Sequence, residues 1–215
     1  MHQVVVTEIF HSLQGESTQA GRPCVFIRLT GCPLRCEYCD TSYAFQGGNV
    51  MSLSQVLETV RSFGCDLVEV TGGEPSSQNN CILLLQTLCD EGFEVMIETS
   101  GAVSVEKVPQ PVKIIMDIKT PASKEEHRNL WSNLSLLKPG MDEIKFVICD
   151  AADFAYTQEI AQRYDLCQKF TVLVSPAFGQ VSNQELATWV LASKAPYRMQ
   201  LQMHKYIWDP EQQGV

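Results

Sequence analysis

Short apolar segments that favour β-strands alternate along this chain with amphipathic segments that favour helices. The candidate strands cover residues 4–10, 24–29, 67–70, 95–98, 112–118, 143–148, 170–174 and 199–203. Several are nearly continuous apolar runs, which is typical of strands that are covered on both faces. This alternation predicts a parallel sheet whose strands are joined by right-handed crossovers.

Capping residues mark where the intervening helices begin. The candidate starts are Ser52 with Gln55, Asn80, Asp150, and Ser182 with Glu185. Gly64 and Gly92 are placed to end the first two helices. About six strand–helix units follow the candidate strand at 24–29, which is too few for a complete eight-unit barrel. An α/β fold with a partial (β/α) barrel of parallel strands is therefore expected first, and an open doubly wound sheet second.

The chain has 215 residues, enough for one substantial core, and shows no repeat or linker, so residues 1–215 are interpreted as one domain. Its formal net charge of −9 argues against a protein that binds nucleic-acid backbones. No apolar run is long enough to span a membrane, and the N-terminus does not resemble a secretory signal. These features predict a cytoplasmic protein that contacts neither nucleic acid nor membrane.

Five unusual motifs each lie at the end of a candidate strand. They are GCPLRCEYCDT (31–41), TGGEP (71–75), ETSG (98–101), DIKTP (117–121) and VSP (174–176). Sites in parallel α/β folds lie at the carboxyl ends of the strands. The motifs are therefore expected to meet in one site.

Three of the nine cysteines, Cys32, Cys36 and Cys39, fall in one loop. The other six are interpreted as small buried side chains. An odd total in a chain of this length argues against a disulfide framework. Three clustered thiolates instead suggest a site in a reducing compartment, and their spacing alone leaves three kinds of site open.

A zinc ion is one possibility, but it requires a fourth ligand. The nearest candidates in the sequence are His11, Cys24 and Asp40, and Cys24 falls within a predicted strand. A redox pair with the spacing C-x2-C is the second possibility, and it leaves Cys32 without a role. The third is a 4Fe–4S cluster held by three cysteines, with one iron open to a ligand that is not protein.

The cysteine loop (residues 31–41), preceded by RLTG, resembles the signature loop of the radical S-adenosylmethionine (SAM) superfamily. The TGGEP motif strengthens the resemblance, because a Gly-Gly-Glu-Pro stretch in that superfamily receives the amino group of SAM. Glycines permit a close approach of the backbone, and carbonyl groups with Glu74 can accept from an ammonium. The resemblance implies a 4Fe–4S cluster whose fourth ligand is SAM, and one-electron cleavage of SAM to a 5′-deoxyadenosyl radical.

An ordered series of motifs narrows the resemblance. EIF-x-S-x-QGE (8–16), FIRLTGC (26–32), CDT (39–41), TGGEP, ETSG and QMHKYIW (202–208) are together similar to the 7-carboxy-7-deazaguanine synthase family, from residue 8 to about 208. This implies a lyase that converts 6-carboxy-5,6,7,8-tetrahydropterin to 7-carboxy-7-deazaguanine with loss of ammonia, on the route to queuosine in transfer RNA. The radical would take hydrogen from carbon 6 of the pterin, and hydrogen return would regenerate SAM.

The resemblance also implies which residues bind the substrate. Leu13, Gln14 and Gly15 are expected to contact the pterin through backbone and amide groups. Arg28 is expected to bind the substrate carboxylate with its forked guanidinium. The other expected substrate contacts are Thr71, Glu98 and His204, the last on the final predicted strand with Gln202. Without the resemblance, Arg28 and Glu98 would be interpreted as ion-pair residues and His204 as a core or rim residue.

A second group of residues is implied for SAM and a metal ion. The expected SAM contacts are Tyr38, Asp40, Gly73, Glu74, Lys119 and Ser175. Thr41 is expected to bind Mg²⁺ through its hydroxyl, beside substrate oxygens, since Mg²⁺ commonly takes few protein ligands. No catalytic residue is expected beyond the cofactor radical.

The chain departs from the family pattern at three places. Ser17 stands where the family often has a glycine, so the loop is expected to need a slightly different backbone. DIKTP replaces a Ser-Pro-Lys stretch, which leaves the role of Lys119 open. Whether the tail ending at Val215 closes the substrate site is also open.

Two other functions remain possible at this point. One is an activase that makes a glycyl radical on a partner protein, and the other is a zinc-stabilised binding module without catalysis. For the synthase, the expected partners are the pterin, an electron donor such as a flavodoxin, and a second copy of the chain in a homodimer.

Overall fold

One nine-stranded sheet organises the computed structural model, which describes residues 2–215. Its strands are β1 (Gln3–Leu13), β2 (Pro23–Leu29), β3 (Asn49–Ser52), β4 (Leu67–Gly72), β5 (Glu94–Thr99), β6 (Lys113–Asp117), β7 (Glu143–Ile148), β8 (Thr171–Pro176) and β9 (Arg198–Met199). Their order is β3-β1-β2-β4-β5-β6-β7-β8-β9. β1 is antiparallel to both neighbours, and every pair from β2 to β9 is parallel. The predicted α/β fold with a parallel, partial-barrel sheet is confirmed.

Six α-helices accompany these strands in the described part of the chain. They are α1 (Leu53–Ser62), α2 (Cys81–Asp90), α3 (Ala151–Arg163), α4 (Leu166–Lys169), α5 (Asn183–Ser193) and α6 (His204–Ile207). Both predicted capping boxes form, at Ser52 and Ser182, and the Asp150 carboxylate accepts from the N–H of Asp153. Between residues 118 and 142 the crossover contains short 3-10 turns instead of an α-helix. None of the helices within residues 2–215 is long and apolar enough to cross a membrane.

The last predicted strand is shorter than expected. β9 ends at Met199, so Gln202 is not in a strand and His204 begins α6. The Gln200 N–H still donates to the Val174 carbonyl of β8 (3.0 Å), but the Met203 N–H donates to the Gly15 carbonyl (3.1 Å), so the backbone leaves the sheet after Gln200. The side-chain Oε1 of Gln200 accepts from the Ser17 N–H (2.7 Å). The prediction that Gln202 and His204 lie on a strand is wrong for this reason.

The two faces of the sheet bury different side chains. Alternate residues of the parallel strands, such as Val68 and Val70 in β4, pack outward into a large core with the helices. The inward residues form a small core, which consists of Phe10, Cys24, Phe26, Leu67, Met96 and Ile115. One step nearer the carboxyl ends, the same inward face carries a charged layer of Arg28, Glu69, Glu98, Asp117 and Lys145. The barrel interior therefore has an apolar base and a charged upper part.

The β1–β2 loop (residues 14–22) fills the base of the barrel on its open side. Thr18 donates through its N–H to the buried carboxylate of Glu143 (3.2 Å), at the start of β7. Lys113, at the start of β6, pairs with the same carboxylate (2.5 Å) and donates to the Thr18 hydroxyl (2.7 Å). With the Gln200 and Met203 contacts, these bonds join β1 to the end of the sheet near β9.

Candidate active site

A cavity of about 510 Å³ opens at the carboxyl ends of the parallel strands. Its walls include the cysteine loop, the β1–β2 loop, the charged layer and the C-terminal residues 210–215. The site residues predicted from the sequence all line it except Glu74 and Ser175. The fold therefore brings the separate motifs to one space, as their positions after the strands predicted.

The three loop cysteines all border the cavity and are half-buried. Arg35 packs over Phe45, 4.2 Å from its ring centre, and donates to the Cys32 carbonyl (2.8 Å), which fixes the outer side of the loop. Burial raises the pKa of the Cys36 thiol to about 11, and the nearby Lys119 opposes this. Metal binds the thiolate, so a metal that binds Cys36 displaces the proton that this buried thiol otherwise holds.

Within residues 2–215, no three His, Cys, Asp or Glu side chains converge closely enough to hold a single metal ion. In a 4Fe–4S cluster each cysteine binds a different iron, so three sulfurs need only border a common space. The arrangement of Cys32, Cys36 and Cys39 meets this weaker requirement.

The TGGEP loop packs tightly against the cysteine loop. A Cβ at Gly73 would lie 2.3 Å from the Gly31 carbonyl oxygen and 2.8 Å from the Cys32 Cβ, so only glycine fits here. The N–H of Glu74 also donates to the Gly31 carbonyl (2.8 Å). Backbone of both motifs therefore reaches the cavity side by side, as a ligand held by both loops requires.

The carboxylate of Glu74 lies under this loop and does not face the cavity. It is fully buried and accepts from the N–H of Ser76 (3.0 Å), the hydroxyl of Thr99 (2.9 Å) and the N–H of Ser100 (2.7 Å). The prediction that this side chain receives the SAM ammonium is revised, because its acceptor sites serve to join the TGGEP and ETSG loops. The Thr99 and Ser100 contacts were missed in the sequence, although ETSG itself was singled out.

Two polar atoms on the Lys119 side of the cavity lack partners within the described residues. The Tyr38 hydroxyl and Asp117 Oδ1 are buried without a hydrogen bond, while Asp117 Oδ2 accepts from Lys119 Nζ (2.6 Å). The Ser175 hydroxyl is also buried and unpaired, although this residue does not line the cavity. Buried polar groups are rarely left unsatisfied, so these atoms indicate a polar ligand. Three thiolates, the glycine cradle and these unpaired groups together fit a cluster with SAM.

Arg28 presents one edge of its guanidinium to the cavity. Its Nε donates to Glu8 (2.7 Å), which also accepts from the hydroxyl of Tyr43 (2.8 Å). The guanidinium carbon lies 5.7 Å and 5.8 Å from the ring centres of Phe10 and Tyr43. Since only Nε has a partner in the described residues, the two terminal nitrogens remain available to a carboxylate.

Gln14 has a different role from the one expected for its amide. Its Nε2 donates to Glu69 (2.5 Å), and its Oε1 accepts from the N–H of Glu16 (2.9 Å). Its backbone N–H and carbonyl are paired with Arg22 and Gly21, and the residue is 3% exposed. The prediction that the Gln14 amide contacts a ligand is therefore revised: the side chain holds the β1–β2 loop.

Lys145 is the main feature that the sequence reasoning missed. Its Nζ contacts the carboxylates of Glu16 and of Glu98 (2.7 Å to the latter), on the β1–β2 loop and β5. Burial alone lowers the pKa of Lys145, but the two carboxylates outweigh it and raise the pKa well above its ordinary value. The available signal was the position of Lys145 in the EIKFVI strand, where a charge interrupts an apolar run at an inward site.

His204, Thr41 and the tail complete the wall. A Cβ at Gly15 would lie 2.6 Å from His204 Nδ1, so the loop and α6 are in close contact. Burial lowers the pKa of His204, which keeps the imidazole neutral near pH 7. The Thr41 hydroxyl donates to Asp40 (2.8 Å), which leaves its oxygen free to accept or to bind a cation. Asp40 also pairs with Lys205 (2.9 Å).

Ser17 keeps the backbone that a glycine would favour. Its φ of +63° lies in the left-handed region, and its Oγ accepts from the N–H of Gln19 (3.0 Å). The sequence predicted that the backbone here would differ from that of a glycine. Ser17 instead adopts the left-handed conformation, which is unfavourable for residues other than glycine.

Comparison with known proteins agrees with this architecture. A model described as the radical SAM superfamily matches residues 26–118. The crystal structure of QueE from Escherichia coli superposes with a TM-score of 0.78 and 24% identity, and covers 94% of this chain and 95% of that chain. Archaeal TYW1 gives a TM-score of 0.57 at 11% identity, over 80% of this chain and 72% of its own. The fold, the cysteine loop and the glycine cradle define a radical SAM enzyme.

Two sequence relatives show which family of radical SAM enzymes the chain belongs to. A protein of Chlorobaculum tepidum is 42% identical over 98% of this chain and 96% of its own length. Another, of Koribacter versatilis, is 43% identical over 98% of this chain and 99% of its own. Both are named 7-carboxy-7-deazaguanine synthase. The chain belongs to the 7-carboxy-7-deazaguanine synthase family, which disfavours the activase and the zinc module.

Proposed function

We propose that this enzyme converts 6-carboxy-5,6,7,8-tetrahydropterin to 7-carboxy-7-deazaguanine, with release of ammonia. The observation that carries the proposal is the single cavity bordered by the cysteine loop on one side and by Arg28 with the charged layer on the other. A cluster site and a site for an anionic heterocycle then share one enclosed space. When bound, the cluster and SAM supply the one-electron chemistry, and the protein orients and shields the reactants.

The residues of this chain have distinct positioning roles in the proposal. Cys32, Cys36 and Cys39 hold the cluster, while the backbone at Gly73 faces the amino group of SAM. Tyr38, Asp40, Lys119 and Ser175 are the proposed side-chain contacts to SAM. The three thiols must lose their protons to bind iron, so cluster binding is expected to release protons.

The substrate is held by groups on β1, β2, β4, β5 and α6. The terminal nitrogens of Arg28 bind the substrate carboxylate in a forked geometry. Glu98, whose carboxylate contacts Lys145 Nζ (2.7 Å), accepts from N–H groups of the heterocycle. Leu13, Gly15, Thr71 and neutral His204 complete the proposed contacts. The buried walls exclude water from the reacting carbon.

Thr41 is the proposed protein ligand for Mg²⁺. Thr41 lines the cavity, and its hydroxyl donates to Asp40, which leaves the oxygen lone pairs available to a cation. Thr41→Ala is expected to weaken the dependence of the rate on Mg²⁺, with the half-saturating Mg²⁺ concentration rising about tenfold if one ligand bond is lost. Titration of Mg²⁺ against the initial rate measures this, with Thr59→Ala on α1 as control. An unchanged titration would remove Thr41 from the metal site.

The activity is tested by mass spectrometry of an anaerobic reaction. The reconstituted protein, SAM, strong reductant, Mg²⁺ and the carboxytetrahydropterin are expected to yield the deazaguanine acid and equimolar ammonia. SAM cleavage without this product would contradict the proposed substrate and leave the family assignment intact. The proposal includes an electron donor such as a flavodoxin, a homodimer and a cytoplasmic location, and these stay predictions.

A further inference from the structure

Glu69 is a buried carboxyl group in the cavity wall that has no role in the proposal above. It lies in the middle of β4, two residues before Thr71 on the same inward face. Only 3% of the residue is exposed. Its Oε2 accepts from Gln14 Nε2 (2.5 Å), and this is the one hydrogen bond of the group within residues 2–215. Its Oε1 has no hydrogen-bond partner among the described residues, and Glu69 lines the cavity.

The charges around Glu69 do not compensate a carboxylate there. The groups that face it are Glu16 on the β1–β2 loop, Glu98 on β5, Lys145 on β7 and the Cys24 thiol on β2. Lys145 is already in contact with both Glu16 and Glu98. One ammonium thus serves three carboxyl groups in a buried wall. An unpaired buried carboxylate is costly enough that such groups take up a proton instead.

We propose that Glu69 is a neutral carboxylic acid in the resting enzyme and that its Oε1–H donates a hydrogen bond to an acceptor atom of the bound heterocycle. The role of Gln14 agrees with this, because its N–H group binds Oε2 and leaves Oε1 to carry the proton. A pterin offers carbonyl and ring-nitrogen acceptors as well as N–H donors. Glu69 and Glu98 then divide the work: one donates and the other accepts. The substrate part of this inference rests on the proposed function.

The electrostatics support the same assignment. Burial, followed by the charges of Glu98 and Glu16, raises the pKa of Glu69 well above its ordinary value of 4.5. Lys145 and Gln14 act in the opposite direction without cancelling the effect. The folded state therefore holds a proton that the unfolded chain releases above about pH 4.5, so this group's contribution to stability falls as the pH rises from that value toward the folded pKa.

The first test uses the protein without substrate. Infrared spectroscopy of the wild-type protein near pH 7 is expected to show the carbonyl band of a protonated carboxylic acid, and Glu69→Gln is expected to lose it. Gln14→Ala keeps the acid but removes its partner, so the band is expected to stay and to shift in frequency. A spectrum of Glu69→Gln that is identical to the wild type would overturn the inference, as would an unshifted band in Gln14→Ala.

Thermal unfolding supplies a second readout. The melting temperature of Glu69→Gln minus that of the wild type is expected to rise by roughly 2–4 °C per pH unit above pH 5, since the variant has no proton to lose. Glu143→Gln is the control. Its carboxylate is equally buried but is paired with Lys113, so its melting temperature relative to the wild type is expected to show no such rise. A difference for Glu69→Gln that is flat with pH would contradict a neutral acid.

Activity then tests the contact to the heterocycle. Glu69→Gln keeps an N–H donor and is expected to retain kcat/KM within about threefold, whereas Glu69→Ala is expected to raise KM roughly tenfold or more. Glu98→Gln, which replaces a paired carboxylate, is expected to lose more than Glu69→Gln. Equal losses for the two glutamine variants would overturn the donor role. Failure of the wild type to form product would count against the proposed function alone, since the infrared and thermal results do not depend on substrate.

Discussion

The cysteine loop and the charged layer border the same cavity but are built in different ways. The loop carries its three thiols within residues 32–39, packs against Gly73, and is held from outside by the N–H of Arg35 to Glu125 (2.6 Å) and the N–H of Glu37 to the Ser123 carbonyl (3.1 Å). The contacts of Lys145 join Glu16, Glu98 and β7, which are far apart in the sequence. A local motif can change its chemistry with little effect on the fold, whereas the charged layer serves the site and the fold together.

The largest expected effect is a loss of activity without a loss of stability when a cysteine of the loop is replaced. Cys36→Ala is expected to abolish the cluster and all detectable activity, because it leaves a second of the four irons without a protein ligand. Iron content, the visible spectrum and product formation measure this. The thermal stability of the metal-free protein is expected to stay within about 1 kcal/mol of the wild type. Cys89→Ala, on α2, is the matched control and should keep its iron.

The charged layer should behave in the opposite way. Lys145→Met leaves Glu16 and Glu98 without their cation, and we expect the free energy of unfolding to fall by about 3 kcal/mol. Denaturant unfolding of the metal-free protein measures the change, and Lys145→Met combined with Glu98→Gln is expected to recover part of it. Arg163→Met removes the exposed partner of Glu159 and should cost under about 1 kcal/mol. If Lys145→Met also lowered the free energy of unfolding by under about 1 kcal/mol, the charged layer would not be more important for stability than the cysteine loop.

Within the charged layer, Arg28→Lys is expected to affect substrate binding and not stability, unlike Lys145→Met. Lysine keeps the charge but loses the fork, so kcat/KM is expected to fall about 100-fold, mainly through KM, with thermal stability little changed. Steady-state kinetics with the pterin measure this. Arg22→Lys, whose partner Glu94 is half-exposed, should leave the kinetics unchanged. A loss of less than about threefold for Arg28→Lys would remove the substrate carboxylate from this site.

The smallest effect concerns the β1–β2 loop, which links the two regions. Ser17→Gly and Ser17→Ala both remove the hydroxyl, but only glycine tolerates the φ of +63°. The glycine variant is therefore expected to be more stable than the alanine variant by about 1 kcal/mol, as measured by chemical unfolding. Equal stabilities would show that the loop relaxes out of the left-handed conformation.

Much of the cysteine-loop side of the site was predictable because its residues lie close together in the sequence. The spacing of Cys32, Cys36 and Cys39, and the glycines of TGGEP, can be recognised without knowing which strands are neighbours. The strand order from β4 onward follows from the alternation of strands and helices. Capping boxes gave the helix starts at Ser52 and Ser182 because those signals are local as well.

The charged layer was only half predictable, because it depends on register. Arg28 and Glu98 were singled out from their positions at strand ends, while Glu69 and Lys145 were not, although they lie on the same inward face. The sequence cannot show that Glu16 reaches Lys145 from a loop at the base of the barrel. It also gave no reason to end β9 at Met199, since that ending depends on long-range bonds from Gln200 and Met203.

The β1–β2 loop and the stacked rings of Phe10 and Phe26 close the lower end of the barrel, so the cavity has no opening on that side. Residues 210–215 line another part of the cavity wall. In a cavity closed at its lower end, a ligand bound next to Phe10 and Phe26 has to bind before, and leave after, a ligand bound above it. A cross-link that fixes residues 210–215 against the rest of the cavity wall should therefore slow both the binding and the release of ligands.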